Sequence, residues 1–161
     1  MKAANTMNPY NRLALFGGSF DPIHCAHLQV ANAAMQQAQL DSVIFIPNAQ
    51  SPLKHSPLSP ADARLKMLRL ALQDEHRFSL DTYKMDQGGV NFFTVNTVEH
   101  FKERYRDAQL FWIIGGDQFV QLDQWFRIDT LASMIIFLVY PRLEDHQSVF
   151  KKMQQAWTIK Y

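Results

Sequence analysis

A single cysteine, Cys25, serves the whole 161-residue chain. An internal disulfide is therefore excluded, and a Cys-rich metal cluster with it. Net charge is also scarce: 16 basic and 15 acidic side chains leave a formal +1. No bulk field draws the chain onto nucleic acid or an anionic membrane, so any phosphate must be held by a local site. Long apolar runs are missing too. The longest, Met134 to Tyr140, falls far short of the ~20 residues that span a bilayer and suits a buried strand. Met1 to Arg12 is too polar for a secretory signal, and together with the lone thiol this leads to the expectation of a cytoplasmic protein. The P-loop pattern and the Gly-x-Gly-x-x-Gly fingerprint are both absent, so a nucleotide phosphate would have to be gripped another way. Lys151 and Lys152 near the end read as a solvated helix face.

What the chain does have is 47% hydrophobic residues, enough for one core that hides roughly 70% of the unfolded surface. Arg12 to Phe16 rises as a strand into Gly17-Gly18, and Ala26 to Gln39 then reads as an Ala- and Gln-rich helix. Val43 to Pro47 repeats the strand signal. A Pro- and Ser-rich loop from Asn48 to Pro60 leads into an amphipathic helix over Ala61 to Leu72, with Ser59 or Asp62 as candidate caps. Phe78 to Leu80 is a short strand, Thr94 to Tyr105 a helix with Val95, Val98 and Phe101 on one side, and Leu110 to Ile114 a strand ending at Gly115-Gly116. A polar helical turn around Phe119 to Trp125 precedes a strand over Ser133 to Tyr140, and Gln147 to Trp157 reads as a final helix. Apolar strands alternating with helices call for an α/β fold, a Rossmann-like parallel sheet with helices on both faces. Ligands of such sheets sit beyond the carboxyl ends of the strands, where the winding order reverses. Two strands here end in Gly-Gly.

The strongest chemical signal is Gly17-Gly18-Ser19-Phe20-Asp21-Pro22-Ile23-His24-Cys25-Ala26-His27. Glycines allow backbone amides to approach a ligand, a helix N-terminus supplies unpaired N–H groups, and two imidazoles can donate to phosphate oxygens. His24 and His27, three apart, face the same way if the helix begins between them. As metal ligands they form a poor set, having neither a Glu at zinc-protease spacing nor a Cys cluster beside them. Cys25 next to His24 has no separate base to activate it and is expected to be a small buried residue.

Gly-Gly-Ser/Thr-Phe-Asp-Pro-x-His-x-Gly-His resembles the opening signature of the nicotinate-nucleotide adenylyltransferase family, with Ala26 standing where that family has Gly. The resemblance continues through Ile46-Pro47-Asn48 and Pro52-Leu53-Lys54, similar to a strand end followed by Pro-Pro-His-Lys, and through Arg64 to Leu68, similar to Arg-x-x-Met-Leu. Phe93-Thr94-Val95-Asn96-Thr97 is similar to Ser-Tyr-Thr-x-x-Thr, whose backbone helps hold the nicotinate carboxylate, with Phe92 for Ser and Phe93 for Tyr. Ile113-Ile114-Gly115-Gly116-Asp117, then Leu122 and Trp125, resembles Phe-Ile-Ile-Gly-x-Asp-x-x-x-x-Leu-x-x-Trp. By resemblance, Asp117 binds the adenosine ribose with Gly115 beside it, and Trp125 stacks on the pyridine ring near Phe93 and Thr94. Gly17, Gly18 and Phe20 belong to the ATP side, and Ser19, His24, His27 and Lys54 are the catalytic candidates on phosphate.

The resemblance spans Leu13 to about Pro141 and implies one nucleotidyltransferase domain over 1–161. The family's late Ile-Ser-Ser/Thr-x-x-Arg element has no counterpart after Tyr140, which leads to the expectation of a C-terminally incomplete domain. The implied reaction is adenylyl transfer from ATP, carrying Mg²⁺, to nicotinate mononucleotide. Alternatives kept open are the nicotinamide mononucleotide, a non-catalytic nucleotide-binding homologue, and pantetheine-phosphate adenylyltransferase, which usually has Thr at the position of His24. No nucleic-acid or membrane partner is expected, and the sequence leaves the oligomeric state open.

Overall fold

The computed structural model describes residues 10–49, 59–86, 93–141, 147–148 and 151. Strand side chains alternate between faces, and in the central strands both sets are apolar. Strand β1 (Arg12–Gly18) sends Leu13 and Leu15 to one face and Ala14 and Phe16 to the other. Strand β2 (Ser42–Pro47) splits the same way, Ile44 and Ile46 against Val43 and Phe45. Such strands need cover on both sides. One face is covered by helices α1 (Cys25–Gln37), through Ala31, Ala34 and Met35, and α2 (Ala61–Leu72), through Leu68 and Leu72. The other is covered by α4 (Thr94–Arg104), through Val95, Val98 and Phe101, and α6 (Ile128–Met134), through Ile128 and Leu131.

The sheet has five strands in the order β3-β2-β1-β4-β5, with β3 at Phe78–Leu80, β4 at Gln109–Gly115 and β5 at Ile135–Tyr140. Every pairing is parallel. Register runs from Leu13↔Ser42 to Gly18↔Pro47 on one side of β1 and from Arg12↔Gln109 to Phe16↔Ile113 on the other. The chain thus winds outward from β1 through β2 to β3, then crosses back to lay β4 against the free side of β1. The reversal opens a crevice beyond the carboxyl ends of β1 and β4, and the two Gly-Gly pairs stand at those ends. The expected α/β architecture is the observed one.

Several boundaries differ. Helix α1 starts at Cys25, one residue before the expected Ala26, and ends at Gln37, because Gln39 turns left-handed at φ 47°. Helix α2 has Pro60 at its cap with no side-chain capping bond, so neither Ser59 nor Asp62 serves as one. Ser59 instead gives its N–H to Asp21 Oδ2 at 2.8 Å. Two short helices escape the hydrophobic pattern: α3 (Tyr83–Asp86) and α6, which takes in Ser133 and Met134, so β5 begins at Ile135. The expected polar turn divides into α5 (Gly116–Phe119) and a 3-10 turn at Leu122–Gln124. Of the expected final helix only 147, 148 and 151 are described, and they are helical. Among the described residues no helix is long and apolar enough to cross a membrane.

Candidate active site

At the exit of β1 the two glycines serve packing first. A Cβ on Gly17 would lie 2.6 Å from Cζ2 of Trp112, and one on Gly18 3.1 Å from Cζ of Phe20. The space that a methyl would need at each is taken by an indole or phenyl ring of the protein itself, a packing reason for glycine that stands beside the expected approach of backbone to a ligand. Phe20, expected on the ATP side, is 2% exposed at φ 45°. Its ring meets Phe16 edge-on at 5.5 Å and His27 at 5.2 Å. A non-Gly residue held left-handed costs on the order of 1 kcal/mol or more, and here the burial of a whole phenyl ring offsets it. Phe20 is a prop beneath His27. A cis Asp21-Pro22 peptide follows.

His24 is the cap residue of α1, extended at φ −146° and ψ 171°, and exposed. His27, half-buried, lies one turn on, and the two rings lie against each other with centroids 3.9 Å apart, tilted by 35°. The His24 N–H donates to Nδ1 of His27 at 3.2 Å. That bond assigns the His27 tautomer: Nδ1 accepts, and the proton of the neutral ring sits on Nε2. A 13-residue helix begins between the two rings, so its positive end adds to whatever they donate. The arrangement suits an anion with several oxygens. Cys25 lies between them and is exposed, not buried as expected, because the first turn of α1 turns that side away from the sheet.

Arg64 was legible only as part of a motif; its role was not. It is 1% exposed and donates to four carbonyl oxygens, those of Ser19 (2.8 Å), Asn48 (2.8 Å), Ala49 (3.3 Å) and Ser59 (3.0 Å). Burial lowers its pKa below the ordinary guanidinium value, and nearby Asp21 acts in the opposite direction. The only hint in the sequence is an arginine one turn before Leu68 on the apolar stripe of α2. Ser19 is half-buried and enters the structure through that carbonyl.

At the exit of β4, Gly115 caps α5, and a Cβ there would lie 2.6 Å from Oδ1 of Asp117. The glycine leaves room for the carboxylate to fold back over the strand end. Asp117 is exposed in the first turn of α5 and free to accept hydroxyl hydrogens from a ligand. Beside this, Phe93 caps α4 and Thr94 is its first residue. Phe93 and Trp125 both pack against the core cluster of that face, and Phe93 pairs with the exposed Phe126 at 4.6 Å. The buried Nε1 of Trp125 and Oγ1 of Thr97 have no hydrogen-bond partner among the described residues. Lys54 and Phe92 lie outside the described residues. The structure thus brings His27 against both His24 and Phe20, places Gly115 and Asp117 on the adjacent strand end, and sets Phe93, Thr94 and Trp125 on the face covered by α4.

Comparison with known proteins gives the family of the chain. The family model described as cytidylyltransferase-like matches residues 15–159. A protein of Staphylococcus epidermidis named probable nicotinate-nucleotide adenylyltransferase is 39% identical over 143 residues, covering 88% of this chain and 74% of the relative. One of the same name from Clostridium acetobutylicum is 34% identical over 149 residues, 92% and 74% of the two chains. Among solved structures, the Plasmodium falciparum nicotinic acid mononucleotide adenylyltransferase complexed with NaAD superposes with a TM-score of 0.73 at 17% identity, covering 88% of this chain and 71% of that one, a likeness of fold. The chain belongs to the cytidylyltransferase-like family, and within it to the nicotinate-nucleotide adenylyltransferases.

Proposed function

We propose that this chain transfers the adenylyl group of ATP to nicotinate mononucleotide, releasing pyrophosphate and forming nicotinate adenine dinucleotide. The observation that carries the reading is the close His24–His27 pair at the start of α1, on the crevice between β1 and β4. A phosphate oxygen of the mononucleotide attacks the α-phosphorus of ATP in line, the new P–O bond forms, and the bond to the β-phosphate oxygen breaks. No protein nucleophile is needed, so catalysis rests on positioning and on charge stabilisation. Nε2–H of His27 and the ring of His24 donate to the phosphate oxygens as negative charge moves toward the leaving pyrophosphate. Ser19 lines the same turn, and Lys54 is assigned to phosphate from its place in the motif.

Asp117 accepts the ribose hydroxyls of the adenosine, with Gly115 leaving it room. Trp125 and Phe93 supply aromatic surface for the pyridine ring, and the start of α4 at Thr94 faces its carboxylate. Mg²⁺ prefers oxygen ligands, and the triphosphate of ATP offers them, so the metal is assigned to the MgATP substrate. Both substrates are phosphorylated metabolites, which favours a cytoplasmic setting.

Pyrophosphate release is measured with MgATP and either nicotinate or nicotinamide mononucleotide. Release with the acid in clear preference to the amide is the expected result. Preference for the amide overturns the substrate assignment, and no release with either overturns turnover by this chain.

A further inference from the structure

Arg64 sits on α2, on the face of the sheet opposite α4, and its side chain is among the largest fully buried ones of the described residues. Its partners lie on three segments. Nη1 binds the carbonyls of Ser19, after β1, and of Asn48, after β2; Nη2 reaches Ala49; Nε binds Ser59. Two further bonds join the same segments: Asn48 N–H to the Gly18 carbonyl at 2.8 Å, and Ser59 N–H to Asp21 Oδ2 at 2.8 Å. Anchoring α2 does not require this, because Leu68 and Leu72 already bury its apolar stripe. A hydrophobe at position 64 would fill the volume without the cost of burying a charge. What a planar five-donor fork adds is direction: it fixes where the carbonyls of two adjacent strand exits lie relative to each other. Ser19 is five residues before His24, in the turn whose left-handed Phe20 supports His27.

We infer that Arg64 is a positioning residue for adenylyl transfer, holding the Ser19-to-His24 turn in register with the exit of β2 so that the histidine pair is presented at a fixed place. This rests on the function proposed above. A displacement of about 1 Å at reacting groups lowers a rate on the order of 10²-fold, and that is the scale expected.

The test uses Arg64→Lys and Arg64→Ala in the full chain, with three readouts: kcat and KM for ATP, thermal unfolding, and the ring ¹H–¹³C correlations of His24 and His27. A lysine keeps the charge, but one ammonium cannot span carbonyls on both exits. Expected for Arg64→Lys are a cooperative fold, a kcat lower by about 10²-fold with KM for ATP within about threefold, and displaced ring correlations. The methyl signals of Leu131 and Ala108, on the other face, stay in place. Methylguanidinium added to Arg64→Ala should restore at least about tenfold of the lost rate, as expected when a preorganised donor set is refilled, and ethylammonium should not.

A folded Arg64→Lys with kcat within about threefold of the parent and unmoved His rings overturns the inference. So does activity that falls only in proportion to the folded fraction while the rings of that fraction are unmoved. If the parent chain itself releases no pyrophosphate, the proposed function fails, and the ring correlations alone decide the role of Arg64.

Discussion

Substituting Gly17 by Ala should destabilise the protein before any nucleotide is added. The new methyl would stand 2.6 Å from Cζ2 and 2.9 Å from Cη2 of Trp112, where ordinary contact needs roughly 3.5 Å or more. Neither side can yield easily. Trp112 is 3% exposed on β4, and Gly17 is paired to Ile46 within the parallel ladder. Overpacking of this kind costs ~1–3 kcal/mol, which for a domain of this size lowers the melting temperature by about 2–4 °C per kcal/mol. Urea unfolding followed by circular dichroism, without ligand, reads the effect directly. Trp112→Leu destabilises by leaving a cavity, but the double variant should be more stable than the sum of the two losses, with a coupling of ~0.5–3 kcal/mol. A glycine retained for ligand approach would behave otherwise, leaving the unliganded stability alone and weakening nucleotide binding. Gly17→Ala within about 0.5 kcal/mol of the parent, with additive losses in the double variant, would refute the packing argument.

Other outcomes follow from the same geometry. Asp117→Asn removes the charge from the ribose acceptor, and the KM for ATP measured by pyrophosphate release should rise about tenfold with kcat little changed. Burial lowers the Lys84 pKa to about 8 from 10.5, so between those values the unfolded chain keeps a proton that the folded one has shed, and stability should climb with pH. The penalty is fully present below pH 8, its relief is bounded at ~3 kcal/mol, and Lys84→Met should flatten the slope and raise stability at pH 7 in urea titrations. Above pH 10 the raised pKa values of Tyr105 and Tyr140 act the other way, since the folded state then holds protons that the unfolded state has lost. Cys25, exposed beside His24, should react fully with a thiol reagent in the native state, and MgATP should slow that reaction several-fold, on the order expected for site occupancy.

The strands and the long helices were legible because their signal is local. Val43–Pro47 and Leu110–Ile114 are apolar at every position, and Ala61–Leu72 repeats its apolar residues at the helical period, so the sheet and α2 could be read directly. Helix α6 was missed because Ile128 and Leu131 are its only buried residues, too few to establish a period in a polar segment. The histidine turn was legible as chemistry, since Gly-Gly, His24 and His27 carry their spacing in the sequence. The reason for each glycine was not, because it depends on Trp112, a partner far away in the chain, or on the carboxylate of Asp117 folding back. Arg64 was hidden for a similar reason: an arginine on a helix reads as a solvated side chain until four carbonyls from three other segments are brought around it.

Catalysis by the paired histidines is tested most directly by the turnover of labelled ATP into dinucleotide product by the parent chain, by His24→Ala and by His27→Gln at saturating nicotinate mononucleotide. If the pair stabilises the charge that develops on the phosphates, each variant should lose kcat by about 10²–10³-fold, the scale of one preorganised donor, while the KM for ATP moves far less. Variants that fold and keep kcat within a factor of about three would contradict that role and leave the pair as the cap of a helix.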